Sequence, residues 1–232
     1  MLSGEPHRPR VLRADPAPSP PGRTAAPYTH LGFSGPHLRV DRPCGAYREP
    51  MTTYAALLRG INVGGSKKVP MADLRALLTG LGHDGVATYL QSGNAVFTSD
   101  HGDENSHAAE ITAAIEKHFG FTVDVLVRDH TYLEAVREAC PFPAAELEGK
   151  QLHVTYLSET VDATRFEGID QPAFLPEEFR IGDRVLYLYA PEGLGRSKLA
   201  ETLSRPRLLK GLVATTRNWN TVVKLAELTR TG

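Results

Sequence analysis

The chain has 232 residues, of which 41% are hydrophobic, and a net charge of -1; that is enough apolar material for one large core or two small ones. No apolar run approaches the roughly 18 residues of a membrane-spanning helix, which excludes an integral helical membrane protein. Two cysteines, Cys44 and Cys140, lie in segments of different character, which excludes a disulfide framework and points to a reducing, cytoplasmic setting.

The charge is unevenly distributed. Residues 1–50 carry seven Arg and no Lys against four acidic residues, leaving 19 basic against 23 acidic residues for 51–232. A non-specific nucleic-acid binder draws its affinity from neutralising phosphates, so the mildly acidic body argues against nucleic acid as a partner. The first fifty residues also hold ten of the seventeen prolines and show no helical or strand period. They read as a disordered Pro- and Arg-rich extension upstream of a true start at Met51. The competing reading is an arm that touches an acidic partner or RNA.

The body then becomes periodic. Residues 54–58 form a short, nearly continuous apolar strand that runs into the loop Arg59-Gly60-Ile61-Asn62-Val63-Gly64-Gly65-Ser66-Lys67-Lys68. Pro70 opens an amphipathic helix marked by Leu74, Leu77, Leu78 and Leu81 and stopped by Gly80 and Gly82. Residues 86–90 and 95–98 flank Gln91-Ser92-Gly93-Asn94, whose Gly-Asn pair supplies a hairpin turn. Ala108, Ile111, Ile115 and Phe119 mark a second helix closed by Gly120, and residues 121–127 alternate as a fourth strand. Strand, helix, strand, strand, helix, strand is the ferredoxin-like order of an α+β unit.

Asp129 caps a connecting helix through Leu133, Val136 and Ala139, which Pro141 and Pro143 end. The same order then recurs less clearly. Leu152, Val154 and Tyr156 alternate as a strand, a short helix covers residues 161–166, and residues 179–181 and 185–189 form a hairpin about Gly182-Asp183. Residues 197–209 read as a helix, 212–215 as the last strand, and a terminal helix runs from Trp219 to Leu228. The expected organisation is thus an extension at 1–50, a first ferredoxin-like half at 51–128, and a connecting helix, second half and terminal helix at 129–232.

That topology gathers polar residues at two places. The C-terminal end of the first strand meets the turn opening the third, which groups Arg59, Asn62, Gly64, Gly65 and Lys67 with Gln91, Ser92 and Asn94. In the second half, the loop carrying Arg196, Ser197 and Lys198 falls beside Arg217, Asn218 and Asn220. Glycine-rich turns, cations and helix starts are the ingredients of an anion cradle. Each also has a plainer reading. Gly64-Gly65 suits a turn needing positive φ, Asn218 or Asn220 suits an N-cap, and Trp219 suits a core. The loop is a near miss to the P-loop, because Ser66 stands at the lysine position and Lys67 comes one residue late.

Catalytic and metal templates are absent from the spacing. His83, His101, His107, His118, His130 and His153 are scattered, with no metal-ligand spacing and no serine or cysteine alongside in a nucleophile motif. Cys140 stands before a proline at a helix end without an evident activating base, as a structural thiol does. No cofactor and no metal ligand set is implied.

Leu57-Leu58-Arg59-Gly60-Ile61-Asn62-Val63-Gly64-Gly65, Met71-Ala72-Asp73-Leu74 and Tyr89-Leu90-Gln91-Ser92-Gly93-Asn94 resemble motifs of a bacterial family, domain of unknown function 1697. Leu188-Tyr189-Ala190-Pro191, Gly195-Arg196-Ser197-Lys198-Leu199 and residues 215–221 resemble its later motifs, so the likeness runs over residues 53–228 in order. The resemblance implies a cytosolic α+β protein of two ferredoxin-like halves and brings no activity or site residue with it. On the residues themselves, the leading expectation is a protein that binds a small anionic or phosphorylated ligand. The alternatives are RNA stacked on Tyr54 and Phe97, and a structural or partner-binding protein whose polar motifs serve turns and caps only.

Overall fold

The computed structural model describes residues 51–65 and 67–230; the expectations for residues 1–50, Cys44 and Ser66 lie outside them. Among the described residues the fold is α+β, with two four-stranded antiparallel sheets and five α-helices. The first sheet comes from β1 (Thr52–Leu58), β2 (Asp84–Tyr89), β3 (Asn94–Ser99) and β4 (Val125–Asp129), in the order β2-β3-β1-β4. Its helices are α1 (Met71–Gly80) and α2 (Glu104–Phe119), and α3 (His130–Glu138) follows. The second sheet comes from β5 (Leu152–Leu157), β6 (Glu178–Gly182), β7 (Val185–Tyr189) and β8 (Ala214–Asn218), in the order β6-β7-β5-β8, with α4 (Lys198–Leu203) and α5 (Trp219–Thr229).

Local chemistry sets the helix ends. Asp103, Asp129 and Asn218 each accept a backbone N–H two or three residues into α2, α3 and α5, the usual service of an N-cap side chain. Gly120 ends α2 in the left-handed region at φ 79°, where glycine carries no Cβ penalty.

Strand alternation divides the interior into three cores. Tyr54, Ala56, Leu58, Phe97 and Val127 face α1 and α2. Ala55, Leu57 and Leu126 face the opposite way, toward a central layer of α3 and α5 that also receives Val154, Tyr156 and Tyr187 from the second sheet. Leu157, Leu186, Leu188 and Ala214 cover the outer side of the second sheet together with Leu199 and Leu203 of α4. Trp219 belongs to the central core. Tyr54 and Phe97 stack on each other at 5.6 Å and are buried beneath α1 and α2, so neither ring is open to a nucleic-acid base.

Besides shifts of one or two residues at the ends of other strands, four elements depart from their expected bounds. β4 begins at Val125 rather than residue 121, because its partner β1 ends at Leu58 and the ladder closes with Arg59 N donating to Asp124 O. The helix expected over 197–209 stops at Leu203; Pro206 lacks an N–H and restricts the residue before it. The last strand is 214–218 rather than 212–215, in register with β5 from Leu157↔Ala214 to His153↔Asn218. The short helix near 161–166 is a 3₁₀ turn, Ala163–Phe166, and a second such turn spans Gln171–Phe174.

A buried and a half-buried arginine meet one glutamate where the halves join. Arg128 of β4 is 2% exposed and donates to Leu157 O, while Glu104 accepts from both Arg128 Nη1 at 3.2 Å and Arg184 Nη1 at 2.7 Å. Arg184 lies 4.2 Å from the centroid of the Tyr132 ring, a cation–π contact that covers the ion pair.

Candidate functional site

The loop after β1 is held shut by its own side chains. Asn62 Nδ2 donates to Val69 O and Gln91 O, and its Oδ1 accepts from Val69 N, each at 2.9 Å. Lys67 Nζ donates to Thr122 O at 2.9 Å. Asn62, Gly64, Gly65 and Lys67 all have positive φ, and a Cβ at Gly64 or Gly65 would meet nothing within 4 Å. Conformation, rather than close approach of a neighbour, accounts for these glycines. Gln91 and Ser92 are exposed, whereas Asn94 is fully buried and donates to Tyr89 O.

Arg217 binds the two halves at this point. From β8 it donates to Asn94 Oδ1, Leu58 O and Gly93 O of the first sheet, and to Thr215 Oγ1 and Thr216 O of its own strand. Burial pushes its pKa down to about 10, so the guanidinium stays charged at neutral pH. Its donors are spent within the protein. Asn218 Oδ1 accepts from Thr221 N and Oγ1, and the exposed Asn220 packs its side chain over Gly149.

Arg59, Arg196, Ser197 and Lys198 converge on one cleft of about 490 Å³. Its floor is the outer face of the second sheet, where Thr155 and Thr216 share a hydrogen bond at 2.8 Å between Leu186, Leu188 and Ala214. Leu194, Leu203 and Leu209 complete the apolar wall. Arg59 enters from the first half and pairs with Asp124 at 3.1 Å, and Arg196 pairs with Glu192 at 3.5 Å. Both pairs are more than half exposed on their arginine side, so water screens them and a ligand can compete. Lys198 has no ion pair or hydrogen-bonding partner among the described residues.

The start of α4 is already occupied by a carboxylate. Glu177 Oε2 accepts from Ser197 Oγ at 2.7 Å and from Leu199 N at 2.8 Å, while Ser197 Oγ accepts from Ala200 N. An anion seated at this helix start is therefore the protein's own. Glu177 was not among the residues expected from sequence, nor were Thr155 and Thr216. For Thr155 a signal existed: it alternates with Val154 and Tyr156 of the central core, which puts its hydroxyl on the opposite face.

Outside the cleft, His83 and His107 are buried beside Glu110 under the first sheet. Burial lowers the pKa of both rings. Cys140 is half-buried with its thiol against Phe142 O, and burial raises its pKa; a thiol kept protonated is a poor nucleophile.

Residues 51–187 match the family model described as a protein of unknown function, DUF1697. A solved structure, that of the conserved bacterial protein SP0830 from Streptococcus pneumoniae, is similar over 78% of this chain and 99% of its own length, with 26% identity and a TM-score of 0.63. No curated protein matches the chain. A family match over more than half the length makes this chain a member of the DUF1697 family of proteins of unknown function.

Proposed function

We propose that the protein binds a small anionic or phosphorylated ligand in the cleft between α4 and the outer face of the second sheet. The observation that carries this reading is the convergence of Arg59, Arg196 and Lys198, from two halves of the chain, on one cavity. The cations would hold the charged end, Thr155 and Thr216 would offer hydroxyls, and the leucine wall would take an apolar portion of the ligand. Asn62, Asn94, Arg217 and Asn218 would act indirectly, by holding the loops and sheet ends that carry those cations. We read each half as a ferredoxin-like unit, supported by the repeated antiparallel strand order, although 3₁₀ turns stand where the second half's first helix would lie. A cytoplasmic setting agrees with the free Cys140 and with the absence, among the described residues, of any helix long and apolar enough to cross a membrane.

The test is a thermal-shift screen of the full chain against nucleotides, sugar phosphates, phosphorylated coenzymes and simple carboxylates. A ligand at one hundred times its Kd stabilises by about 2.7 kcal/mol. Stabilisation by one phosphorylated or anionic class, lost in Arg59→Ala and Arg196→Ala while the unliganded midpoint stays put, is the expected result. No stabilisation by any of them, or stabilisation indifferent to both substitutions, would leave the exposed cations as surface charge and turn the reading toward a structural or partner-binding protein.

A further inference from the structure

Beneath the first sheet, far in sequence from the cleft residues, three side chains meet that no motif connects. His83 lies in the turn between α1 and β2, and His107 and Glu110 lie one turn apart on α2, a spacing that puts both on one helix face. His83 and His107 are 2% and 1% exposed. His83 Nε2 stands 3.7 Å and His107 Nδ1 3.9 Å from the same oxygen, Glu110 Oε2. One ligand atom from each of the three residues lies within 4.8 Å of the others.

Those separations are too long for good hydrogen bonds, and the rings are otherwise poorly satisfied. Both nitrogens of His83 and Nε2 of His107 are buried without a hydrogen-bond partner. Aromatic packing accounts for the carbon faces: His83 stacks on Phe97 at 4.3 Å and His107 meets Tyr54 edge-on at 4.9 Å. It leaves the nitrogens unexplained, because phenylalanine or leucine would fill the same space without the cost of a buried, unpaired polar atom.

We propose that His83, His107 and Glu110 form a binding site for a divalent transition-metal ion of the zinc and cobalt class. Two imidazoles and one carboxylate suit such an ion. Ligands about 2.0–2.1 Å from zinc stand roughly 3.3 Å apart in a tetrahedron, so modest rotation of the rings and carboxylate closes the set. Glu110 has a side chain 41% exposed, which supplies the route of entry and leaves a coordination position toward solvent. The ion would join α2 to the segment entering β2.

The full chain without an affinity tag, stripped with chelator, is titrated with Co²⁺ and followed by its visible d–d absorption, then challenged with Zn²⁺. Saturable, stoichiometric absorption that zinc displaces is expected. Glu110→Gln, half-exposed and of the same shape, is expected to weaken Co²⁺ binding at least about tenfold, with circular dichroism unchanged. His118→Ala, on the exposed part of α2, is the control expected to leave binding as it was. His83→Gln should behave as Glu110→Gln does if it folds, and if it fails to fold the Glu110 variant decides alone. Absence of saturable absorption in the wild-type protein would overturn the site, as would a Glu110→Gln titration indistinguishable from wild type.

Discussion

Arg217 Nε donates to Asn94 Oδ1 at 2.6 Å, joining the last strand of the second sheet to the turn that opens the third strand of the first. The same guanidinium donates to Leu58 O and Gly93 O, so one side chain satisfies three acceptors across the boundary between the halves. Arg217→Met should destabilise the protein by about 2–4 kcal/mol, since it strands buried acceptors. Arg217→Lys should recover only part of this, because an ammonium cannot span the fork of acceptors. Urea denaturation read by tryptophan fluorescence would measure both, and a loss below about 1 kcal/mol for either would contradict the role.

Glu104 carries the second junction. It accepts from Arg128, which is 2% exposed, and from Arg184. Glu104→Gln leaves the buried Arg128 guanidinium without a carboxylate and Arg184 with only the more distant Asp183 at 3.9 Å, and should cost about 2–4 kcal/mol. A double substitution with Arg184→Met should cost less than the sum of the two single changes, which denaturant midpoints would reveal.

Glycine positions near the β1 loop should separate strain from collision. Gly64 has φ +64° with open space around it, whereas a Cβ at Gly93, φ +85°, would come within 2.9 Å of Ile61 and Leu58. Gly64→Ala is expected to cost about 1 kcal/mol from backbone conformation alone. Gly93→Ala adds overpacking of a buried site and should cost about 2–4 kcal/mol. Equal thermal midpoints for the two variants would refute the distinction.

His153 should make stability fall on the acid side. It is 6% exposed in β5, Nδ1 has no partner, and desolvation holds its pKa below the ordinary 6.5. The unfolded chain therefore takes up a proton more readily than the folded one as pH drops below 6.5, so stability present above that value is lost progressively until the lowered folded pKa is passed. In His153→Leu the acid-side slope should be shallower. Unfolding free energies measured at a series of pH values check this, and parallel curves for the two proteins would count against it.

Much of the architecture was legible in the chain because its causes are local. Leucines at helical spacing, Asp129 and Asn218 as caps, Gly120 as a helix stop and the Gly93-Asn94 turn each act through neighbours a few residues away. Element order followed from them, and with it the meeting of the β1 end with the β2–β3 turn. The bounds that shifted furthest, those of β4, α4 and β8, are ones where a distant pairing partner or a proline overrode local period.

By itself, then, the sequence determined the α+β class and the order of the elements, and it singled out Arg59, Arg196 and Arg217 as charged candidates. Which of those residues is free to meet a ligand was decided only by the tertiary structure. Arg59 and Arg217 are alike as sequence, yet one is exposed at a cleft and the other buried in protein carbonyls. The start of α4 was legible as an anion site, and the anion proved to be Glu177, twenty residues before Ser197. His83 and His107 come together in the same way, through the packing of α2 on the first sheet. Burial and hydrogen-bond saturation depend on which distant groups pack against a side chain, and no local pattern encodes that.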